Sequence, residues 1–331
     1  MKKKLRLSNF SGRGVMLLLT LLFIFAQALT VCADDTAAAS QAEAPRGTCR
    51  YAMSFINLTD PYNVMIASEL QAKIMETGDE AVVLDANYSN KRQISQIRRM
   101  LAEGIDGLFI QPVNSSGIVE VLEEIRYAGV PVICLDKEPS DMTWVDSYCG
   151  TNQLQAGQVV AESLEELYPA GAKLLLLTRE DDEVCIARSD SITNALFVGP
   201  FRILETVSCD GSRAGAQASV TKLLNEYPDT EVIVTVNDSM GIGALNALGE
   251  AEKENVRIIS IGGSPDFKKL LAEGDDRLIG TAALSPAAIG NTAAGIMNAL
   301  KEGQKLKSRY LVEAFLMTAE NVGNYGVETW Q

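Results

Sequence analysis

The chain of 331 residues contains no histidine. That absence removes Ser-His-Asp and Cys-His nucleophile arrangements, together with the histidine-bearing metal centres of the usual hydrolases. Cys49, Cys134, Cys149, Cys185 and Cys209 include no CxxC spacing, so neither a zinc site nor a thioredoxin-like motif is written here. Cys134, in the apolar run PVICL, reads as a small core residue, whereas Cys185 and Cys209 fall in one predicted half and could bridge in an oxidising compartment. Positive charge is scarce, with 29 Lys and Arg against 43 Asp and Glu and a formal net charge of −14. Nucleic acid and an anionic membrane surface are therefore poor partners, and the acidity reads as a solubility device. Phosphate loops are missing too: GIG at 241–243 lies inside a helix pattern without a third Gly, and GG at 262–263 runs into SPDF. Trp144 and Trp330 are the only tryptophans, and both read as packing residues. With no evident nucleophile–base pair, the pattern calls for no catalysis, no metal and no cofactor.

What is present begins at the first residues. Lys2, Lys3, Lys4, Arg6 and Arg13 precede an apolar stretch from Val15 to Val31, the pattern of an export signal over residues 1–33. Three fates are compatible with its end. Val31 and Ala33 suit a cut before Asp34; Leu29 to Cys32 resemble a lipoprotein box, with Val31 where a smaller residue is usual; and the run is close to the roughly 17 to 25 residues of an uncleaved span. The body is thus expected outside the cytoplasm, in the periplasm or on the outer face of the membrane, with Cys32 as the candidate lipid anchor. Residues 34–48, DDTAAASQAEAPRGT, have the composition of a disordered linker.

The roughly 280 residues that follow can form two ordinary domains, and at 47% apolar they can bury a core. YAMSFI (51–56), AVVLD (81–85), GLFIQ (107–111), PVICLD (131–136), KLLLLT (173–178), EVIVTV (231–236) and VRIISI (256–261) are strand candidates. Most are continuously apolar, as strands covered on both faces of a parallel sheet must be. Helical patterns lie between them, and the first three stop at Gly78, Gly104 and Gly129, where a left-handed cap is needed. This alternation is doubly wound α/β architecture. A polar seam, DSYCGTNQLQAGQ (146–158), followed by a second run of β-α units, predicts two similar lobes with a cleft between them.

Ligands of open parallel sheets bind beyond the carboxyl ends of the strands, where helix N-termini converge. Asp60, Tyr62 and Asn63 follow the first strand; Asp136, Lys137 and Glu138 follow the fourth; Arg188 and Asp190 lie in the stretch after KLLLLT; Asn237 and Asp238 follow EVIVTV. Each also has a plainer use. Asp60 before Pro61, and Asn237 or Asp238, are good helix N-caps; Lys137 and Glu138 suit a solvated loop; Arg188 could pair with Asp181 or Asp182; Tyr62 could be a packing aromatic. The joint pattern is harder to dismiss than its members.

At these same residues the chain resembles the ribose-type periplasmic sugar-binding proteins, the substrate-binding components of ABC importers. The resemblance rests on SFINLTDPYN, IDGLFIQPVNSSGI, GVPVICLDKE, TNQLQAGQVVAESL, TVNDSMGIGALNAL, IISIGGSPD and FLMTAENVGNY, and spans essentially all of 49–331. It implies a type I periplasmic binding protein fold: two Rossmann-like lobes joined by a three-stranded hinge, with crossings near 149–151, 282–286 and 312–315. The lobes would then comprise 49–150 plus 285–313, and 151–284 plus 314–331. It also implies roles for the candidate residues. Asp60 and Tyr62 match the first-loop positions, Asp136 matches the Asp of an Asp-Arg pair with Lys137 in place of the Arg, and Asn237 and Asp238 match an Asn-Asp pair. Arg188 lies in the segment of the second-lobe Arg, but Asp190 stands where a ring-clamping Arg would fall. Gly262 replaces a late Asp, Leu284 replaces a Gln, and Gly211 lies near the place of a second-loop aromatic. A simple pentose fits these departures poorly; an altered sugar, a polyol, an amino-bearing ligand or a nucleoside-like molecule all stay open. The implied function is an exported, monomeric solute-binding protein that closes on a small polar ligand, foremost a carbohydrate, and delivers it to ABC permease subunits. The alternative is a receptor that feeds a sensor kinase or chemoreceptor without transport.

Overall fold

The computed structural model describes residues 48–331. The expected export signal, and the linker apart from its last residue, lie outside them. The first half runs β1 (Arg50–Phe55), α1 (Pro61–Glu76), β2 (Glu80–Asp85), α2 (Asn90–Glu103), β3 (Gly107–Ile110), α3 (Val119–Tyr127), β4 (Val132–Leu135) and β5 (Ser147–Thr151). Then come α4 (Gln153–Leu167), β6 (Lys173–Thr178), α5 (Glu183–Leu196), β7 (Arg202–Ser208), α6 (Arg213–Glu226), β8 (Val232–Thr235), α7 (Asp238–Glu250), β9 (Arg257–Gly262), α8 (Pro265–Glu273) and β10 (Leu278–Ala283). The chain finishes with α9 (Pro286–Lys301), β11 (Arg309–Val312) and β12 (Phe315–Met317).

These strands form two six-stranded sheets, in the orders β2-β1-β3-β4-β5-β11 and β7-β6-β8-β9-β10-β12. Every pairing is parallel except β10 with β12. The chain passes between sheets after β5, after β10 and between β11 and β12. The expected α/β fold of two doubly wound lobes is therefore what forms. Both sheets are covered on two faces, which explains the unalternating apolar runs. Leu174, Leu175, Leu176 and Leu177 of β6 are all fully buried, each contributing about 1.5–3 kcal/mol of transfer free energy. In the first sheet, Met53, Phe55 and Phe109 face one apolar layer while Ala52, Leu108 and Ile110 face the other. Helix α9 returns to pack on α1, and Gly290 permits the close approach: a Cβ there would stand 2.7 Å from the Ile66 carbonyl oxygen.

Gly78, Gly104 and Gly129 all adopt positive φ, as their positions at helix ends predict. Beyond the seven candidates, FRILETV (201–207) in the β-α order of the second half forms β7, and four further strands, β5, β10, β11 and β12, carry no strand signal in the sequence. In β5 the sequence SYCGT reads as a polar seam, yet all five residues are buried, and the hydroxyl of Ser147 donates to the Lys307 carbonyl oxygen at 2.9 Å. Cys185 and Cys209 are not bridged, which corrects that option. Burial pushes the Cys185 thiol up to about 11, so it is a packed thiol rather than a reactive one.

Candidate functional site

The switch points of the two sheets lie between β1 and β3 and between β6 and β8, where neighbouring strands send their connections to opposite faces. The loop after β1 is built by Asn57, whose side-chain oxygen accepts from the N–H groups of Thr59 and Asp60 and from the Thr59 hydroxyl. Asp60 then caps α1, accepting from the Tyr62 N–H at 2.9 Å. This places Tyr62 on the first turn, with its ring packed on the edges of both lobes' cores.

The Tyr62 hydroxyl donates to a carboxylate oxygen of Asp136 at 3.2 Å and lies 3.2 Å from the Thr151 hydroxyl. Asp136 follows β4 with φ +55°, a conformation uncommon outside glycine and tolerated best by Asp and Asn. Its main chain is held on both sides: its N–H donates to the Cys149 carbonyl oxygen, and its carbonyl accepts from the Tyr148 hydroxyl. Residues held at positive φ by their surroundings concentrate at functional sites. Burial raises the pKa of this carboxyl, the positive charge of Arg188 opposes that shift, and the charge of Asp60 reinforces it. Burial, and then the negative charge of Asp136, also hold the Tyr62 phenol well above its usual value.

Arg188 projects from α5 in the second lobe and is buried. Its Nε donates to Gln153 at 2.7 Å and one terminal nitrogen donates to the Val236 carbonyl oxygen at 2.9 Å. The guanidinium is thereby fixed from α4 and from the end of β8, while its charge acts across the cleft on Asp136 and Tyr62. It does not pair with Asp181 or Asp182; Arg179, at the end of β6, does so instead. Asn237 caps α7 through the Met240 N–H and donates its amide to the Gly211 carbonyl oxygen.

The remaining candidates are committed elsewhere. Asn63 is buried and accepts from Gln111 at 2.9 Å, part of a polar network with Gln93 and Ser54 that holds the start of the β3 loop. Lys137 turns its ammonium to the Val113 carbonyl oxygen at 3.4 Å, and Glu138 is drawn to Arg309. Asp190 is exposed, since two positions along a helix from the buried Arg188 is nearly the opposite face. Asp238 is buried with both oxygens used: one accepts from the Ser264 N–H at 2.6 Å, the other from the Thr281 hydroxyl at 2.9 Å. The structure thus brings Asp60, Tyr62, Asp136, Arg188 and Asn237 to the facing strand ends. Sequence reasoning missed Thr151 and Gln153, which hydrogen-bond Tyr62 and Arg188 of this cluster. Thr151 and Gln153 were hidden in the polar seam, whose strand-to-helix turn gave no apolar signal.

Residues 51–305 match a family model described as a periplasmic binding protein domain. The chain belongs to that family. Its members bind solutes rather than transform them, and the family places the body outside the cytoplasm. The ribose import binding protein of Escherichia coli K12 is 25% identical over 264 residues, covering 80% of this chain and 88% of that one. The D-apiose import binding protein of Paraburkholderia graminis is 24% identical over 270 residues, 80% of this chain and 85% of its own. Among solved structures, the Caulobacter myo-inositol binding protein bound to myo-inositol superposes with a TM-score of 0.73 at 25% identity, over 85% of this chain and 97% of its own. The arabinose-transporter binding protein of Shewanella sp. ANA-3 has a TM-score of 0.74 at 21% identity, over 83% and 93%, and shares the fold.

Proposed function

We propose that this protein captures a small polyhydroxylated ligand, a sugar or cyclitol, between its lobes and delivers it to an ABC importer. The observation that carries the reading is the juxtaposition of the Tyr62–Asp136–Thr151 cluster on one lobe with the buried, immobilised Arg188 on the other. A carboxylate accepts from adjacent hydroxyls while a guanidinium donates to hydroxyl or ring oxygens, so a polyol satisfies both walls at once. A ligand that touches both lobes favours their closed arrangement by its differential affinity, and the three crossings between the sheets act as the hinge. One chain supplies both walls, so a monomer is sufficient. The export signal delivers the body across the membrane, and Cys32 is the residue that lipidation would use. The names of the relatives, import binding proteins for ribose and for D-apiose, support a carbohydrate ligand.

A thermal-shift screen of the purified protein with D-ribose, L-arabinose, D-allose and myo-inositol tests the reading. A ligand bound only by the native state stabilises it by RT ln(1 + [L]/Kd), so at about one hundred times Kd the gain is about 2.7 kcal/mol and the Tm rises by several degrees. A flat response across the panel from folded protein would end the carbohydrate assignment.

The raised pKa of Asp136 sets a pH dependence. Ligand hydroxyls donate to the ionised carboxylate, so binding lowers that pKa and releases protons. Affinity should fall as the pH drops through the raised pKa of Asp136, above the ordinary carboxyl value of 3.8. Titration calorimetry in buffers of different ionisation enthalpy reads the released protons. Proton uptake on binding in that window would contradict the role given to Asp136.

A further inference from the structure

Beyond β12 the chain forms a short helical turn, Val322–Asn324, and then runs irregularly to Gln331. Irregular segments are normally held weakly, but this one is tied to the interior of the second lobe. Lys268 of α8 is completely buried, an expensive position for an ammonium, and it donates to the Thr329 carbonyl oxygen and to Gln331 Oε1 at 3.2 Å. The Gln331 amide in turn donates to the Leu284 carbonyl oxygen, just after β10. Room for that amide comes from Gly263 (φ +83°), where a Cβ would lie 2.5 Å from Gln331 Nε2. Both residues flanking Trp330 are therefore pinned, and the indole between them is aimed across to the first lobe. There it meets Tyr62 edge-to-face, with ring centroids 5.2 Å apart and planes at 81°. Tyr62 is the residue whose hydroxyl sits on Asp136 and beside Thr151.

One further observation separates this indole from a packing residue. Its Nε1–H is buried and has no acceptor. Buried donors are almost always paired, and an orphan is costly enough to need a reason. Resting on the proposed sugar-binding reading, we infer that Trp330 is a ligand-binding residue, the aromatic wall of the cleft. Its ring covers the C–H face of a pyranose or cyclitol, and its indole N–H donates to a ligand oxygen. Lys268 and Gln331 are then positioning residues that fix the indole, and the ligand class narrows to ring-shaped polyols with an apolar face.

The chain has two tryptophans, and Trp144 packs against Tyr127 on the other side of the first lobe. Trp144→Phe therefore leaves Trp330 as the single tryptophan, whose indole can be excited selectively over the tyrosines. Saturating this variant with the sugar or cyclitol of the four-member panel that gives the largest thermal shift should change its emission. Trp330→Ala should weaken that same compound about tenfold or more, with Trp330→Phe in between because it keeps a ring but loses the donor. Circular dichroism and the urea midpoint confirm that each variant is folded, and Trp330→Phe keeps the test open if Trp330→Ala is not. Unchanged emission with affinity of Trp330→Phe and Trp330→Ala within twofold of the parent would overturn the inference while leaving sugar binding intact. Tighter binding by Trp330→Ala would also overturn it, making the indole a plug. No thermal shift of the parent with any panel member would remove the sugar-binding reading and this inference with it.

Discussion

Replacing Asp136 with asparagine should raise the Tm of the ligand-free protein at neutral pH and, in the same variant, weaken the bound sugar or cyclitol by about 1–2 kcal/mol. Asparagine is chosen because it tolerates φ +55°, whereas alanine there would add backbone strain unrelated to the ligand. The two effects share one cause. Burial raises the pKa of Asp136 above its ordinary 3.8, so the folded protein prefers the protonated acid. Its favourable contribution is fully present below the unfolded pKa and is lost as the pH rises through the folded one. At neutral pH the site therefore holds a carboxylate at a cost, and a neutral amide relieves it. In the role proposed for Asp136 the ligand makes that cost useful, because hydroxyls bond more strongly to a charged acceptor than to an amide oxygen. Stability against function is a familiar exchange at binding sites. A lower Tm combined with unchanged affinity would remove Asp136 from the cleft.

Introducing aspartate at Gly262 should destabilise the second lobe by about 3 kcal/mol or more, rather than repair a missing ligand contact. The resemblance to ribose-type proteins makes this substitution look restorative, since Gly262 stands where an Asp is expected. The packing says otherwise. A Cβ at Gly262 would meet the Asp238 carboxylate, with Cγ at 2.5 Å. That carboxylate cannot withdraw without abandoning the Ser264 N–H and the Thr281 hydroxyl. A second buried carboxylate would add like-charge repulsion to the overlap. Urea denaturation gives the answer directly: a midpoint near that of the parent, with ribose affinity gained, would show that the loop after β9 can rearrange to receive the new side chain.

These two positions illustrate how unevenly the site was legible. Asp136 was readable because a carboxylate directly after an apolar strand lies where ligands of parallel sheets bind, and in the structure it meets the Tyr62 hydroxyl. Asp238 and Asn63 carried the same kind of signal, yet both are spent inside their own lobe, on Thr281 and Ser264 and on Gln111. A polar side chain after a strand can face a ligand or a neighbouring loop, and only the path of the neighbouring loop decides which. Arg188 and Asp190 make the point within one helix: the sequence offers both, and the helical phase buries the first and exposes the second.

The sequence alone determined the architecture, because runs such as KLLLLT and VRIISI can be satisfied only in a sheet covered on both faces, and the intervening helices end at glycines able to take positive φ. It also excluded histidine chemistry and polyanionic partners, since composition needs no coordinates. Only the tertiary structure decided that β5 is a strand, because its small polar residues are buried by β4 and β11 rather than by any preference of their own. The same holds for Trp330, which is 268 positions from Tyr62 in the chain and acquires its place through a buried lysine and a neighbouring glycine. Local patterns record which face of an element is apolar; which distant residues share a cleft follows from how the two sheets and their connections pack.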